Sequence, residues 1–230
     1  MTFRQLTPIE ARVLATLMEK ARTVPDSYPL SLNALVLGCN QKTSRDPVME
    51  ISDDDARAAL EALKARSLVF EGSSSRVPRY EHNFMRVAEV TEQQAVLLGL
   101  LMLRGAQTPA ELRTGGERWY KFADAAAVDA ILQEMQTRGD DNGAPMVLKL
   151  PRAPGAREPR WVHLLCGEVD VQALVSNAPS AAEAEGLLAR VTALENAMAL
   201  LKADNTQMRA HIKTISEQLG ISLAESTLAA

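Results

Sequence analysis

The chain carries one set of folding instructions twice. RVPRYEHNF (76–84) returns as REPRWVHLL (157–165), and both share the pattern Arg-x-Pro-Arg-aromatic-x-His. The match extends upstream, where LTPIEARVLATLMEKA (6–21) aligns with VTEQQAVLLGLLMLRG (90–105). Thr7 pairs with Thr91, Ala11 with Ala95, Leu14 with Leu98, Leu17 with Leu101 and Met18 with Met102. Whatever one copy builds the other must build too, so the chain is read as two related modules of about 80 residues each.

Within each copy the order of elements is legible. The aligned apolar segments have helical spacing. A second helix is expected near Ser31 in copy one and near Thr108 in copy two. A third follows as SDDDARAALEALKARS and as DAAAVDAILQEMQTRG. Then come an apolar strand (LVFE at 68–71, MVLKL at 146–150), a polar tip, and the doubled phrase as the return strand. Thr7-x-x-Glu10, Ser52-x-x-Asp55, Thr91-x-x-Gln94 and Thr108-x-x-Glu111 have capping-box spacing. Pro8 and Pro109 stand at the first helical position, where a missing N–H costs nothing. Three helices and a two-stranded hairpin make a winged helix. The fold class is therefore mainly α with small β-hairpin wings (α+β). The expected domains are 1–87 and 88–170, followed by a linker at 171–179, a coiled-coil helix at 180–220 and a frayed tail at 221–230.

Three long stretches also resemble the bacterial YceH-like family: PLSLNALVLGCNQKTSRDPVM (29–49), LLMLRGAQTPAELRTGGERWYKF (100–122) and GAREPRWVHLLCGEV (155–169). The likeness covers most of residues 6–170. It implies tandem winged-helix domains and brings no assigned active site.

Beyond the repeats the pattern changes. Leu187, Val191, Leu194, Met198, Leu201, Met208, Ile212, Ile215 and Leu219 follow alternating steps of four and three, with Asn205 filling the one polar seam position. That is a heptad register with Leu187 at d and Val191 at a. A single Asn at a fixes register and favours a parallel dimer, at some cost in stability. Arg190 would face Glu195 of a parallel partner, and Asp204 would face Arg209. The alternative is an amphipathic helix folded back on its own chain. The narrow stripe, roughly 50 Å long at 1.5 Å per residue, favours a homodimer.

The chemistry-bearing inventory is thin. Cys39 and Cys166 lie far apart with no CxxC, so neither a disulfide nor a zinc site is expected. No nucleophile motif, phosphate-binding glycine loop or paired carboxylates accompany His82, His163 and His211. In an extended strand Tyr80, His82 and Phe84 share one face, as do Trp161, His163 and Leu165, while Arg79 and Arg160 point the other way. No enzyme, metal or cofactor is expected. The N-terminus lacks a signal-peptide core and no apolar run is long enough to span a bilayer, so a cytoplasmic protein with no membrane partner is expected.

The net charge of −4 counts against a protein dominated by phosphate contacts. Local basic residues offset it. Lys42 and Arg45 lie between helices two and three of copy one, Arg76 and Arg79 on its wing, and Lys149, Arg152, Arg157 and Arg160 on the second wing. These eight are the candidate nucleic-acid contacts, gripping phosphates without reading bases. Asp53, Asp54 and Asp55 open the third helix of copy one, where they suit the helix dipole and oppose DNA. In Arg118-Trp119-Tyr120-Lys121-Phe122 the aromatics are expected to seal a loop against the core. Two functions remain: a dimeric, DNA-associated, regulator-like protein, which the recurring wing and loop basicity puts first, and a protein-interaction adaptor, which the acidic third helices favour.

Overall fold

A computed structural model describes residues 5–72, 77–137, 145–153, 156–171 and 181–219. The described residues are mainly helical, with two small antiparallel sheets among them. Copy one runs α1 (Pro8–Thr23), a short 3-10 turn, β1 (Leu30–Ser31), α2 (Leu32–Cys39), α3 (Asp53–Ala65), β2 (Val69–Gly72) and β3 (Arg79–His82). After α4 (Phe84–Ala88), copy two runs α5 (Glu92–Arg104), α6 (Pro109–Gly116), α7 (Ala125–Thr137), β4 (Val147–Lys149) and β5 (Trp161–His163). The last helix is α8 (Ala181–Leu219).

The helix starts form as their spacing dictates. Thr7, Ser52, Thr91 and Thr108 each accept from the backbone N–H three residues on, and Glu10, Asp55, Gln94 and Glu111 each accept in return. Each box satisfies two N–H groups that the helix itself leaves without acceptors. Ser31 caps α2 alone, accepting from Ala34 N–H. α4 ends at Glu89 in the left-handed region, which turns the chain into α5.

Both sheets follow one plan. In the first, β3 is central: Leu30 pairs with Tyr80 and Ser31 with Arg79 on one side, Val69 with His82 and Glu71 with Tyr80 on the other. In the second, Val147 pairs with His163 and Lys149 with Trp161. The strand corresponding to β1 is reduced to one bridge, Gln107 with Trp161, closed by two backbone hydrogen bonds of 2.7 and 3.0 Å.

α1 and α5 lie against each other, and the pairing buries them all round. Every residue from Glu10 to Glu19 and from Gln94 to Leu103 is buried. An apolar stripe facing one core would leave half of each helix wet. These two instead have their own module on one side and the other module on the other. Close approach is needed at Gly99: a Cβ there would sit 2.7 Å from Trp119 Cζ3 and 3.3 Å from Met18 Cε. Further links join the copies. Asp46 N–H donates to Leu103 O and Leu6 N–H to Leu165 O, both at 2.8 Å. Arg22 pairs with Glu92.

Met1–Asn177 accordingly form one compact unit, and Ala178–Ala230 form another. The boundary expected at 87/88 falls within the first unit, near the end of α4, a helix whose first residue, Phe84, is fully buried. The expected linker and tail lie almost wholly outside the described residues.

Gly99→Ala should lower the unfolding free energy of the full chain by about 1–3 kcal/mol, because Trp119 and Met18 must move to admit one methyl. Chemical denaturation of the two proteins side by side measures this.

Candidate functional site

The doubled phrase sets the wings, and its residues repeat their roles. Tyr80 and Trp161 are buried at the equivalent strand position, as are Phe84 and Leu165 further along. Arg79 Nη1 donates to Pro29 O at 2.8 Å, and Arg160 Nη1 donates to Ala106 O at 2.7 Å. Pro29 and Ala106 each stand one residue before the position that pairs with the buried aromatic. The two arginines therefore clamp the return strand to the chain entering the second helix. Arg160 is also tied to Glu111 at 2.8 Å.

The histidines repeat as well. His82 and His163 sit opposite Val69 and Val147, and the Nδ1 of each is buried without a hydrogen-bond partner among the described residues. Burial pushes both imidazoles down to about 4, with the charge of Arg22 adding to the effect at His82. Both are neutral packing groups at neutral pH.

The eight expected nucleic-acid contacts separate on inspection. Arg45 is the clear correction: its side chain is fully buried. Its Nη atoms meet Glu19 at 2.5 and 3.2 Å, and its Nε and Nη2 donate to Gly38 O. Burial pushes the Glu19 carboxyl up, but hydrogen bonds and charge from Arg45 and Lys20 outweigh it, and Glu19 ends below its ordinary value. Such a pair holds the 40–51 loop on α1 and leaves Arg45 no donor for a phosphate. Lys149 is held by Asp129 at 3.1 Å and lies 5.0 Å from the centroid of the Trp161 ring. Arg79 and Arg160 are engaged as described. Lys42, Arg152 and Arg157 are exposed, and Arg76 lies outside the described residues.

The third helices turn unfavourable faces outward. On α3 Asp53, Asp54, Arg57, Ala58 and Glu61 are exposed, and Asp55 is spent on the capping box, its carboxyl held low by hydrogen bonds from Ser52. On α7 Ala126, Ala130, Gln133 and Glu134 are exposed, and Gln133 donates to Asp129 at 2.6 Å. The 118–122 motif seals the core as expected. Trp119 and Phe122 are buried, and Tyr120 accepts from Gln93 at 2.8 Å.

Sequence reasoning missed one buried arginine, Arg12, and one half-buried one, Arg104. Arg12, inside α1, donates to Cys39 O at 3.1 Å and Pro47 O at 2.6 Å. Its signal was a lone charge in the apolar run ARVLATLM. Arg104, at the end of α5, has a buried Nε with no hydrogen-bond partner among the described residues. The cysteines offer no reactive thiol: burial raises both, and Cys166 reaches about 11. Among the described residues no cluster of His, Cys, Asp and Glu could hold a metal ion, and no helix is long and apolar enough to cross a membrane.

On α8 the described seam residues Val191, Leu194, Met198, Leu201, Met208, Ile212 and Ile215 are all exposed. The side chains of Leu187 and Leu219 lie outside the described residues. Asn205 Oδ1 accepts from Arg209 Nε at 2.7 Å.

Comparison with known proteins places these features in a wider set. Residues 6–156 match the family described as "Protein of unknown function, DUF480". A UPF0502 protein of Polaromonas sp. strain JS666 is 74% identical over 226 residues, covering 98% of this chain and 96% of that protein. One from Verminephrobacter eiseniae is 55% identical over 223 residues, covering 97% and 90%. One from Leptothrix cholodnii is 50% identical over 227 residues, covering 96% and 98%.

The paired histidines make stability depend on pH. Unfolded chains take up protons as pH falls below 6.5, while folded His82 and His163 resist until about 4. Stability is therefore full above pH 6.5 and declines toward pH 4, by up to about 3 kcal/mol per histidine. Denaturant midpoints across that range should fall, and His82→Phe with His163→Phe should flatten the fall.

Proposed function

The chain belongs to the DUF480 family, the UPF0502 proteins of bacteria, and on that premise we propose that it is a non-enzymatic, dimeric tandem winged-helix adaptor that docks a protein partner. The winged-helix reading is supported by the order helix, strand, helix, helix, strand, strand in copy one, with β3 central. Copy two keeps the order with its first strand shortened to the Gln107 bridge. The cysteine and histidine environments support a role without catalysis.

The outward face of the third helices carries the adaptor reading. A winged helix that reads DNA leads with the N-terminus of helix three. Here that end presents Asp53 and Asp54 to solvent, and α7 presents methyl groups, Gln133 and Glu134. Carboxylates at that place repel phosphates and suit a partner surface bearing Lys and Arg. Of the wing arginines that would offset them, Arg79 and Arg160 are engaged with backbone carbonyls.

A DNA-associated role is the second reading, favoured by the exposed Lys42, Arg152 and Arg157. Binding of the full chain to duplex DNA across a salt series separates the two. The adaptor reading expects weak binding with a shallow salt slope. A slope equivalent to several released counterions would overturn it.

Dimerisation is proposed through α8. Its seam side chains are 49–68% exposed in the single chain, and pairing with a second copy would cover them. In a parallel pair Arg209 would turn toward the partner's Asp204. The full chain is expected to sediment as a dimer, and Leu194→Lys with Leu201→Lys as a monomer with the body still folded. A monomeric unaltered chain would refute the pairing.

A further inference from the structure

The two copies act as internal controls for each other, and the end of the first helix is one of the places where they part. In copy one Lys20, near the end of α1, lies over Gly38 of α2, with Cε 3.4 Å from where a Cβ would stand. Its ammonium is satisfied by Glu19 at 3.1 Å and by Gln41 Oε1 at 3.4 Å. The alignment of the first helices puts Arg104 where Lys20 stands and Leu103 where Glu19 stands. Counting from the caps Ser31 and Thr108 puts Gly115 where Gly38 stands and Arg118 where Gln41 stands.

The cation over a glycine is retained. The Arg104 guanidinium lies against Gly115 so closely that any Cβ would collide with Nη1. Both acceptors are gone, one replaced by a buried leucine and the other by a second cation. Arg104 is left with a buried, unsatisfied Nε and no ion pair among the described residues. Burial lowers its pKa, the mark of a charge held partly out of water without full compensation. It opens onto a groove of about 880 Å³ that Asp46, Thr114, Gly115, Glu117, Arg118 and Arg160 also line. Of the groove's three guanidiniums, Arg160 is paired with Glu111, while Arg104 and Arg118 have no ion pair among the described residues although the carboxylates of Asp46 and Glu117 share the lining.

We propose that this groove is an oxyanion site, taking a phosphate or carboxylate group on the guanidiniums of Arg104 and Arg118. The anion supplies the acceptor that Glu19 and Gln41 supply in copy one. Planar guanidiniums suit either group through paired N–H donors. The site is independent of how the third helices or α8 are used.

The full-length chain should be titrated with inorganic phosphate and, separately, with glutarate, at constant ionic strength, while thermal unfolding is followed. A saturable rise in Tm is expected with at least one of them. Phosphate alone assigns a phosphate-bearing ligand, glutarate alone assigns a carboxylate, and both together assign a general oxyanion site. Arg118→Gln, which restores the residue of copy one at an exposed position, should weaken binding about tenfold or more, the effect of losing a charge-assisted donor. Gly115→Ala should do the same by displacing Arg104 without changing any charge. No saturable response to either probe, or an unchanged response in Arg118→Gln, would overturn the site.

Discussion

The body of this protein depends on the contact between α1 and α5. Each helix starts a module, and each is buried on the side that a free-standing module would expose to water. An apolar face left uncovered costs about 25 cal/mol per Å². That cost is removed only when the second copy is present. The cross-links at Leu6, Arg22 and Asp46 then tie the two copies together.

Much of this was legible. Four capping boxes, two prolines and the doubled phrase specify where helices start and where the return strands lie, because these are local instructions read within a few residues. The alternation in the phrase also placed its aromatics inside. What was not legible were the consequences of contacts distant in sequence. α1 and α5 read only as helices from their apolar spacing, yet they are buried all round, since nothing in one copy announces the neighbour that covers its outer face. Arg45 read as a loop cation. Its burial depends on Glu19, 26 residues away in the chain, a contact that no local pattern announces.

Arg79 and Arg160 show a subtler limit. Their outward direction followed from strand alternation, and they are exposed as expected. Exposure did not mean availability, because both reach along the surface to a backbone carbonyl at the same relative position. The duplication made this recognisable: a role repeated at equivalent atoms in two copies is architecture. Conversely, where the copies diverge at Arg104 and Arg118, architecture alone fails to account for the side chains.

The shared core also bears on how the chain is made. Synthesis is vectorial, and domains ordinarily fold as they emerge. The first copy can form its caps and wing early, but the α5-facing side of α1 has no cover until residues 92–104 have left the ribosome. A nascent chain arrested between the copies would display that apolar helix face. Completing the fold is therefore tied to translation of the second copy, and a truncated product would be a substrate for chaperones and proteases rather than a smaller working protein.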